Sequence, residues 1–190
     1  RWSGVVVGPD ALLGERGAGF EMAQSRLGVG RMGHAMRWIG ISQRCVELSA
    51  KRALERETFG APLATRQAIQ WWLADGATLV QACRLMVLHA CWKIERGLPH
   101  RTEVSMVKTF VAEALGEIVD KALQVHGGWG YTDDFPFARW YRDARAARIY
   151  DGPSEVHRIV VARAVLGEVA KTGHALEACG DLLASTRREA

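Results

Sequence analysis

Ile69, Leu73, Gly76, Val80, Cys83, Val87, Ala90 and Ile94 advance by threes and fours. That spacing lays one apolar stripe along an α-helix. A second stripe of the same kind runs through Val104, Val107, Val111, Ala114, Ile118, Ala122 and Val125. Ile41, Cys45 and Leu48 begin a third that ends at Arg52, and Val156, Ile159, Arg163 and Leu166 form a shorter fourth. A weaker segment extends from Ala175 to about Thr186. Ahead of these, Val5-Val6-Val7 reads as a short strand and Gly8-Pro9-Asp10 as a turn, and the pattern becomes helical from about Phe20.

The breaks between stripes are marked by turn residues. Gly60-Ala61-Pro62 follows the first long helix, with Thr65 as a candidate cap for the second. Gly97-Leu98-Pro99 ends the second, and Thr102 and Glu103 open the third. Gly127-Gly128-Trp129-Gly130 ends the third, and Asp151-Gly152-Pro153-Ser154 precedes the fourth. Long amphipathic helices on short turns must bury their stripes against one another. The pattern therefore predicts an all-α, up-and-down four-helix bundle with a short N-terminal strand or loop.

Composition narrows the function classes. The chain has 190 residues, is 48% hydrophobic and 24% charged, and carries a formal charge of +4. This is the profile of a globular protein, and the basic excess is too slight to indicate a nucleic-acid surface. No uncharged apolar run approaches the ~18 residues of a membrane span. Residue 1 is arginine, with no signal-peptide pattern behind it, so the chain is expected to be a piece of a longer polypeptide. Cys45, Cys83, Cys91 and Cys179 have no zinc or redox spacing. They are expected to be buried free thiols in a reducing compartment, the cytoplasm if the source is bacterial.

Several constellations invite chemistry. Gly28-Val29-Gly30-Arg31-Met32-Gly33 is a literal GxGxxG with Glu47 and Glu55 downstream, but a helical segment rather than a strand leads into it. Close helix packing or approach of a ligand to the backbone explains it better than a dinucleotide fold. Arg139, Arg142, Arg145 and Arg148 recur every three residues around Asp143. A step of three drifts round a helix, so structural ion pairs and a solvated face are expected there. No metal site is expected, because no Glu-x-x-His or HExxH occurs and Glu155 and His157 fall on different helix faces. His34, His89 and His126 read as structural histidines, and most of the tryptophans as core. Asp151, with Gly152 and Pro153 after it, has the local grammar of a helix start.

The larger pattern changes the weight on Asp151. Leu12-Leu13-Gly14 through Gly19-Phe20, Arg56-Glu57-Thr58-Phe59-Gly60-Ala61-Pro62-Leu63 with Gln67, Gln124-Val125-His126-Gly127-Gly128-Trp129-Gly130, and Arg142-Asp143-Ala144 through Ile149-Tyr150-Asp151-Gly152 occur in that order. Together they resemble the C-terminal part of the flavin-dependent acyl-CoA dehydrogenases. The resemblance implies that residues 1–16 are the tail of a middle β-domain and 17–190 a C-terminal helical bundle domain. It implies FAD as cofactor, with Arg56, Thr58, Phe59 and Gln67 on the flavin of a neighbouring subunit. Gln124, Val125, His126, Gly127 and Gly128 would cover its adenosine end, and Pro153, Ser154 and Glu155 would border the flavin. Gly28, Val29, Gly30, Arg31 and Gly152 would lie along the acyl-CoA substrate.

In that family a glutamate in the IYEGT segment removes the substrate α-proton, and this sequence has Asp151 there instead. Some members carry the base at the position matching Gly30, where glycine cannot serve. Asp151 is thus the matched carboxylate, shorter than glutamate by one C–C bond, about 1.5 Å. The DGPSEVH wording resembles a subgroup that uses aspartate and takes long, branched or substituted acyl chains. The implied reaction is the α,β-dehydrogenation of fatty-acid β-oxidation, with Asp151 taking the α-proton and hydride passing to flavin N5. An electron-transferring flavoprotein as acceptor and a homotetramer or dimer are implied as well, and the chain alone is expected to be flavin-free and inactive. The alternative is a non-catalytic homologue that binds acyl-CoA or flavin as a structural module; a third reading, a basic nucleic-acid binder, has only the slight positive charge behind it.

Overall fold

The computed structural model describes residues 1–175, and its architecture is all-α. Helix α1 spans Gly19–Glu55 and is followed by a hairpin of β1 (Glu57–Thr58) and β2 (Ala61–Pro62). Then come α2 (Gln67–Glu95), α3 (Arg101–His126), α4 (Phe137–Ala147) and α5 (Ser154–Thr172). In the hairpin, Glu57 lies opposite Pro62 and Thr58 opposite Ala61.

Helix α3 is the axis of the bundle and packs against α1, α2, α4 and α5. Its whole predicted stripe, from Val104 to Val125, is buried. Most of the α2 stripe is buried too, with Leu73 and Ile94 half-buried at its edges. On α1 the core face is turned slightly from the predicted one. Met32, Ala35, Trp38, Ile39, Cys45 and Ala53 are buried, and Ile41 and Leu48 flank them. Helix α2 approaches α1 closely at Gly76, where a Cβ would lie 2.9 Å from Val46 Cγ2. Ala53 of α1 clusters with Ile69 of α2 and Val125 of α3. Thus α1 and α3 run in one direction and α2 returns between them. Helix α5 then descends beside α3, joined by Arg158 to Glu113.

Four details differ from the sequence reading. Val5–Val7 is exposed and pairs with no strand; the N-terminal segment holds only a 3-10 turn at Pro9–Ala11. An extended run forms a strand only where a neighbour takes its backbone hydrogen bonds. A fifth helix, α4, carries Arg139, Arg142 and Arg145 and runs back along α3, from Phe137 beside His126 to Ala147 at Lys108. Arg66 rather than Thr65 precedes α2, and the Thr65 hydroxyl donates to the Pro62 carbonyl at 2.8 Å. Among the tryptophans only Trp38 is buried, while Trp2, Trp71 and Trp129 are exposed.

The arginine run does make structural ion pairs, Arg139 with Asp143 at 3.9 Å and Arg148 with Glu113 at 2.9 Å. Cys45 and Cys83 are buried free thiols and Cys91 is half-buried. Burial pushes the Cys45 thiol up to about 12 and that of Cys83 up to about 11. Cys179 and the weak segment beyond Ala175 lie outside the described residues. No described helix is long and apolar enough to cross a membrane.

Candidate active site

The link between α4 and α5 reverses through two successive left-handed residues, Asp151 at φ 56° and Gly152 at φ 99°. Aspartate is one of the few side chains that tolerate this region. Gly152 is tighter: a Cβ there would lie 2.8 Å from His157 Nε2. The Ser154 N–H closes the turn on the Arg148 carbonyl at 3.0 Å.

Three long side chains hold this turn from below. Arg31 Nε on α1 donates to the Asp151 carbonyl at 2.9 Å. His157 Nε2 on α5 approaches the same oxygen at 3.3 Å, so that nitrogen carries the proton. Lys108 Nζ on α3, fully buried, donates to the Ala147 carbonyl at the end of α4 at 2.9 Å. Burial pushes the pKa values of Arg31, Lys108 and His157 below their ordinary values. The nearby Asp151 charge opposes that shift for Arg31 and Lys108, and the Asp151 carbonyl opposes it for His157.

The Asp151 carboxylate has its own partner. His34 Nε2 lies 2.7 Å from Asp151 Oδ2. The His34 ring stacks on Trp38 and meets Tyr150 edge-on, with centroids 5.9 and 5.3 Å away. Trp38 Nε1 donates to the Tyr150 hydroxyl at 3.1 Å, locking the two aromatic walls together. The other ring nitrogen, His34 Nδ1, faces the Arg37 guanidinium.

Asp151 opens onto a cleft of about 700 Å³ between α1, α3 and α5. Leu27, Val104, Val156 and Val160 give it apolar walls, and Arg31 and Arg101 supply cations. Glu21 of α1 lines it as well, and such a cleft suits an apolar chain with a strongly polar end, presented to Asp151. Of the predicted site residues, Gly28, Arg31, Asp151 and Gly152 line it. Ser154 is buried beneath the turn with its hydroxyl unpartnered. Val29, 62% exposed, faces outward. Gly30, Pro153 and Glu155 do not line the cleft, and Pro153 and Glu155 are exposed at the start of α5.

The remaining predicted residues gather at the opposite end of the bundle. Arg56, Thr58 and Phe59 sit on or beside the hairpin, Gln67 begins α2, Gln124 lies in the last turn of α3, and Gly127 and Gly128 open the 3-10 turn after it. Arg31 and Arg56 are separated along α1 by about 38 Å at 1.5 Å per residue. They therefore stand too far apart to contact one another. Two of the predicted residues at this end turn their side chains inward. Val125 packs with Ala53 and Ile69. His126 is buried with Nδ1 2.8 Å from the Ala122 carbonyl and its ring against Phe135 and Phe137. Both occupy inward positions of α3.

His157 and Arg101 line the cleft, and His34 and Lys108 hold the Asp151 turn from outside it; none of the four is placed at the site by the sequence. His34 had a local signal, since it lies three residues after Arg31 and so on the same side of α1. Arg101 and Lys108 come from α3 and His157 from α5, and no spacing in the chain links them to Arg31 and His34.

Residues 17–166 match the family model described as acyl-CoA dehydrogenase, C-terminal domain. The acryloyl-CoA reductase (NADH) of Anaerotignum propionicum is 42% identical over 155 residues, covering 82% of this chain and 39% of that protein. The acyl-CoA dehydrogenase of Bacillus subtilis is 40% identical over 160 residues, covering 84% of this chain and 42% of its own length. Butyryl-CoA dehydrogenase from Megasphaera elsdenii superposes with a TM-score of 0.80 at 33% identity, covering 84% of this chain and 42% of that structure. The chain thus spans about two fifths of the length of the relatives it matches.

Proposed function

The chain belongs to the acyl-CoA dehydrogenase family, and from that premise we propose that it is the C-terminal part of an FAD-dependent enzyme in which Asp151 exchanges the α-proton of an acyl-CoA thioester. The observation that carries this reading is the placement of Asp151 at the lip of an apolar-walled cleft, on a turn tied down by Arg31 and His157. A proton-abstracting carboxylate must come within ~2.6–3.2 Å of its proton. A held turn supplies that precision for the short aspartate side chain.

The residues present fit FAD. Arg56 makes no ion pair among the described residues and stands on the hairpin, where its planar fork can take pyrophosphate oxygens. Phe59 is 100% exposed at φ 51°, an arrangement that leaves an aromatic face free for a ligand or a second subunit. Gly127 and Gly128 are exposed, and a Cβ on either would meet nothing within 4 Å. When bound, FAD supplies the hydride acceptor for the substrate β-carbon. Because the hairpin end and the Asp151 end lie ~38 Å apart along α1, both ends serve one flavin only if two copies share it. A dimer or tetramer is therefore part of the proposal, with an electron-transferring flavoprotein as redox partner.

Within the cleft, Arg31 anchors the Asp151 backbone and Arg101 faces the polar end of the ligand. Val104, Val156 and Val160 exclude water from the acyl chain, which favours proton transfer between carbon and carboxylate. Relatives named as reductase and as dehydrogenase are about equally similar. The same carboxylate serves either direction, removing the α-proton in oxidation and returning it in reduction.

The test uses the full-length flavoprotein that contains this chain, reduced anaerobically by a panel of acyl-CoA thioesters. Asp151→Asn, with flavin content unchanged, is expected to slow flavin bleaching by at least ~10²-fold. Bleaching at the wild-type rate would remove Asp151 from the role. The alternative, a non-catalytic binding module, predicts acyl-CoA binding with no bleaching by any thioester in the wild-type protein.

A further inference from the structure

We propose that His34 is the positioning residue for the Asp151 carboxylate, and that Arg37 and the Trp38–Tyr150 pair fix the orientation and tautomer of His34. This rests on the reading of Asp151 as the proton-exchanging base.

Asp151 is held at two places by different groups. Its carbonyl is taken by Arg31 and His157, which fixes the backbone. Its side chain is taken by His34, whose Nε2 is 2.7 Å from Oδ2. His34 makes the one hydrogen bond or ion pair that the Asp151 carboxylate forms among the described residues. Oδ2 is therefore engaged, and Oδ1 is the oxygen left for the substrate proton. An aspartate has a single rotor between backbone and carboxylate plane beyond χ1, so one hydrogen bond on Oδ2 sets the direction of Oδ1.

The direction of that hydrogen bond follows from the groups around the ring. A guanidinium has donors only, so the Arg37 contact makes His34 Nδ1 an acceptor. The ring proton then sits on Nε2 and points at the carboxylate. Rotation of the ring is blocked on both sides, by the Trp38 indole stacked at 25° and the Tyr150 ring at 66°. Tyr150 is the residue next to Asp151, so the turn itself forms one wall of the histidine's box. Trp38, His34 and Arg37 all come from one stretch of α1, and Arg31, one turn earlier, holds the Asp151 carbonyl. A single helix face thus grips both ends of the residue.

The experiment compares His34→Phe, His34→Gln and Asp151→Asn with wild type in the full-length flavoprotein, by anaerobic stopped-flow flavin reduction with normal and α-deuterated acyl-CoA. His34→Phe keeps an aromatic ring in the box and loses the donor. It is expected to lower the limiting reduction rate by about 10–100-fold, the range a misplaced reacting group produces. The acyl-CoA dissociation constant is expected to stay within about 3-fold, since the lost contact acts on the chemical step. The α-deuterium isotope effect on that rate is expected to rise, because proton transfer becomes more limiting. His34→Gln, whose amide nitrogen can donate from a similar reach, is expected to restore most of the rate. Wild-type reduction by His34→Phe, a loss confined to binding with an unchanged isotope effect, or absence of rescue by His34→Gln would overturn the inference. Asp151→Asn separates the two levels: if it is inactive while His34→Phe is normal, only the role of His34 fails. If Asp151→Asn bleaches normally, the reading of Asp151 fails and the inference with it.

Discussion

Gly152 and His157 are fitted to one another to within a methyl group: a Cβ on Gly152 would lie 2.8 Å from His157 Nε2. The same glycine has φ 99°, so an alanine there meets backbone strain as well as a buried ring. Gly152→Ala is expected to cost about 1–3 kcal/mol in urea unfolding. It should also slow flavin reduction, since His157 and Arg31 share the Asp151 carbonyl that would be displaced.

Acid should weaken the fold through two buried histidines. Burial is the main cause that holds both His126 and His157 below their ordinary value, so in the folded state they resist protonation. Unfolded, they take up protons once the pH falls below about 6.5. Stability should therefore be flat above that point and decline below it, until the lower folded-state values are reached. The slope cannot exceed about 1.4 kcal/mol per pH unit for each histidine. Urea midpoints at a series of pH values measure it, and His126→Gln or His157→Gln should each reduce the slope.

Lys108 separates the role of a buried amine from that of its stem. Its Nζ caps the Ala147 carbonyl at the end of α4, and its methylenes fill core between α3 and that turn. Lys108→Ala removes both and is expected to cost about 2–5 kcal/mol. Lys108→Met keeps most of the volume and forfeits chiefly the hydrogen bond, about 1 kcal/mol. Denaturant unfolding of the two variants should show that order.

Cys45 and Cys83 should resist alkylation while the protein is folded. Burial pushes their thiols up to about 12 and about 11, which leaves little thiolate at pH 8. Iodoacetamide labelling followed by peptide mass mapping should find both unmodified in buffer and modified in urea. Labelling of Cys45 in the native protein at the rate of an exposed thiol would contradict its burial.

The helical stripes were legible because each helix buries one face, and the α3 stripe from Val104 to Val125 came through unchanged. The α1 stripe was read less well, since small and polar residues such as Ala35, Ser42 and Ser49 are buried there. Their burial depends on the closeness of α2 and α3, which no single-helix periodicity reports. Helix α4 was missed as a packing element because few of its residues turn inward, Phe137, Ala144 and Ala147 among them. At the site, Asp151 and Arg31 were found through the resemblance, which is a statement about sequence position. His34 reaches Asp151, and Lys108 the end of α4, only once α1 and α3 are assembled, and their separation in the chain hides the meeting; His157 lies six residues from Asp151 and reaches it within the turn. Val125 and His126 show that a motif position can place its side chain in the core.

Helix α1 is an uninterrupted span from Gly19 to Glu55, with the Asp151 anchor near its beginning and the hairpin at its end. That makes its residue count a mechanical constant of the protein. Inserting one residue between Arg31 and Arg56 would advance the hairpin by about 1.5 Å and swing it by about 100° about the axis. The Asp151 cleft would be untouched, yet Arg56 and Phe59 would point elsewhere. Length variation among related chains should accordingly collect in the α2–α3 and α3–α4 connections, and the stretch from Arg31 to Arg56 should keep its number of residues.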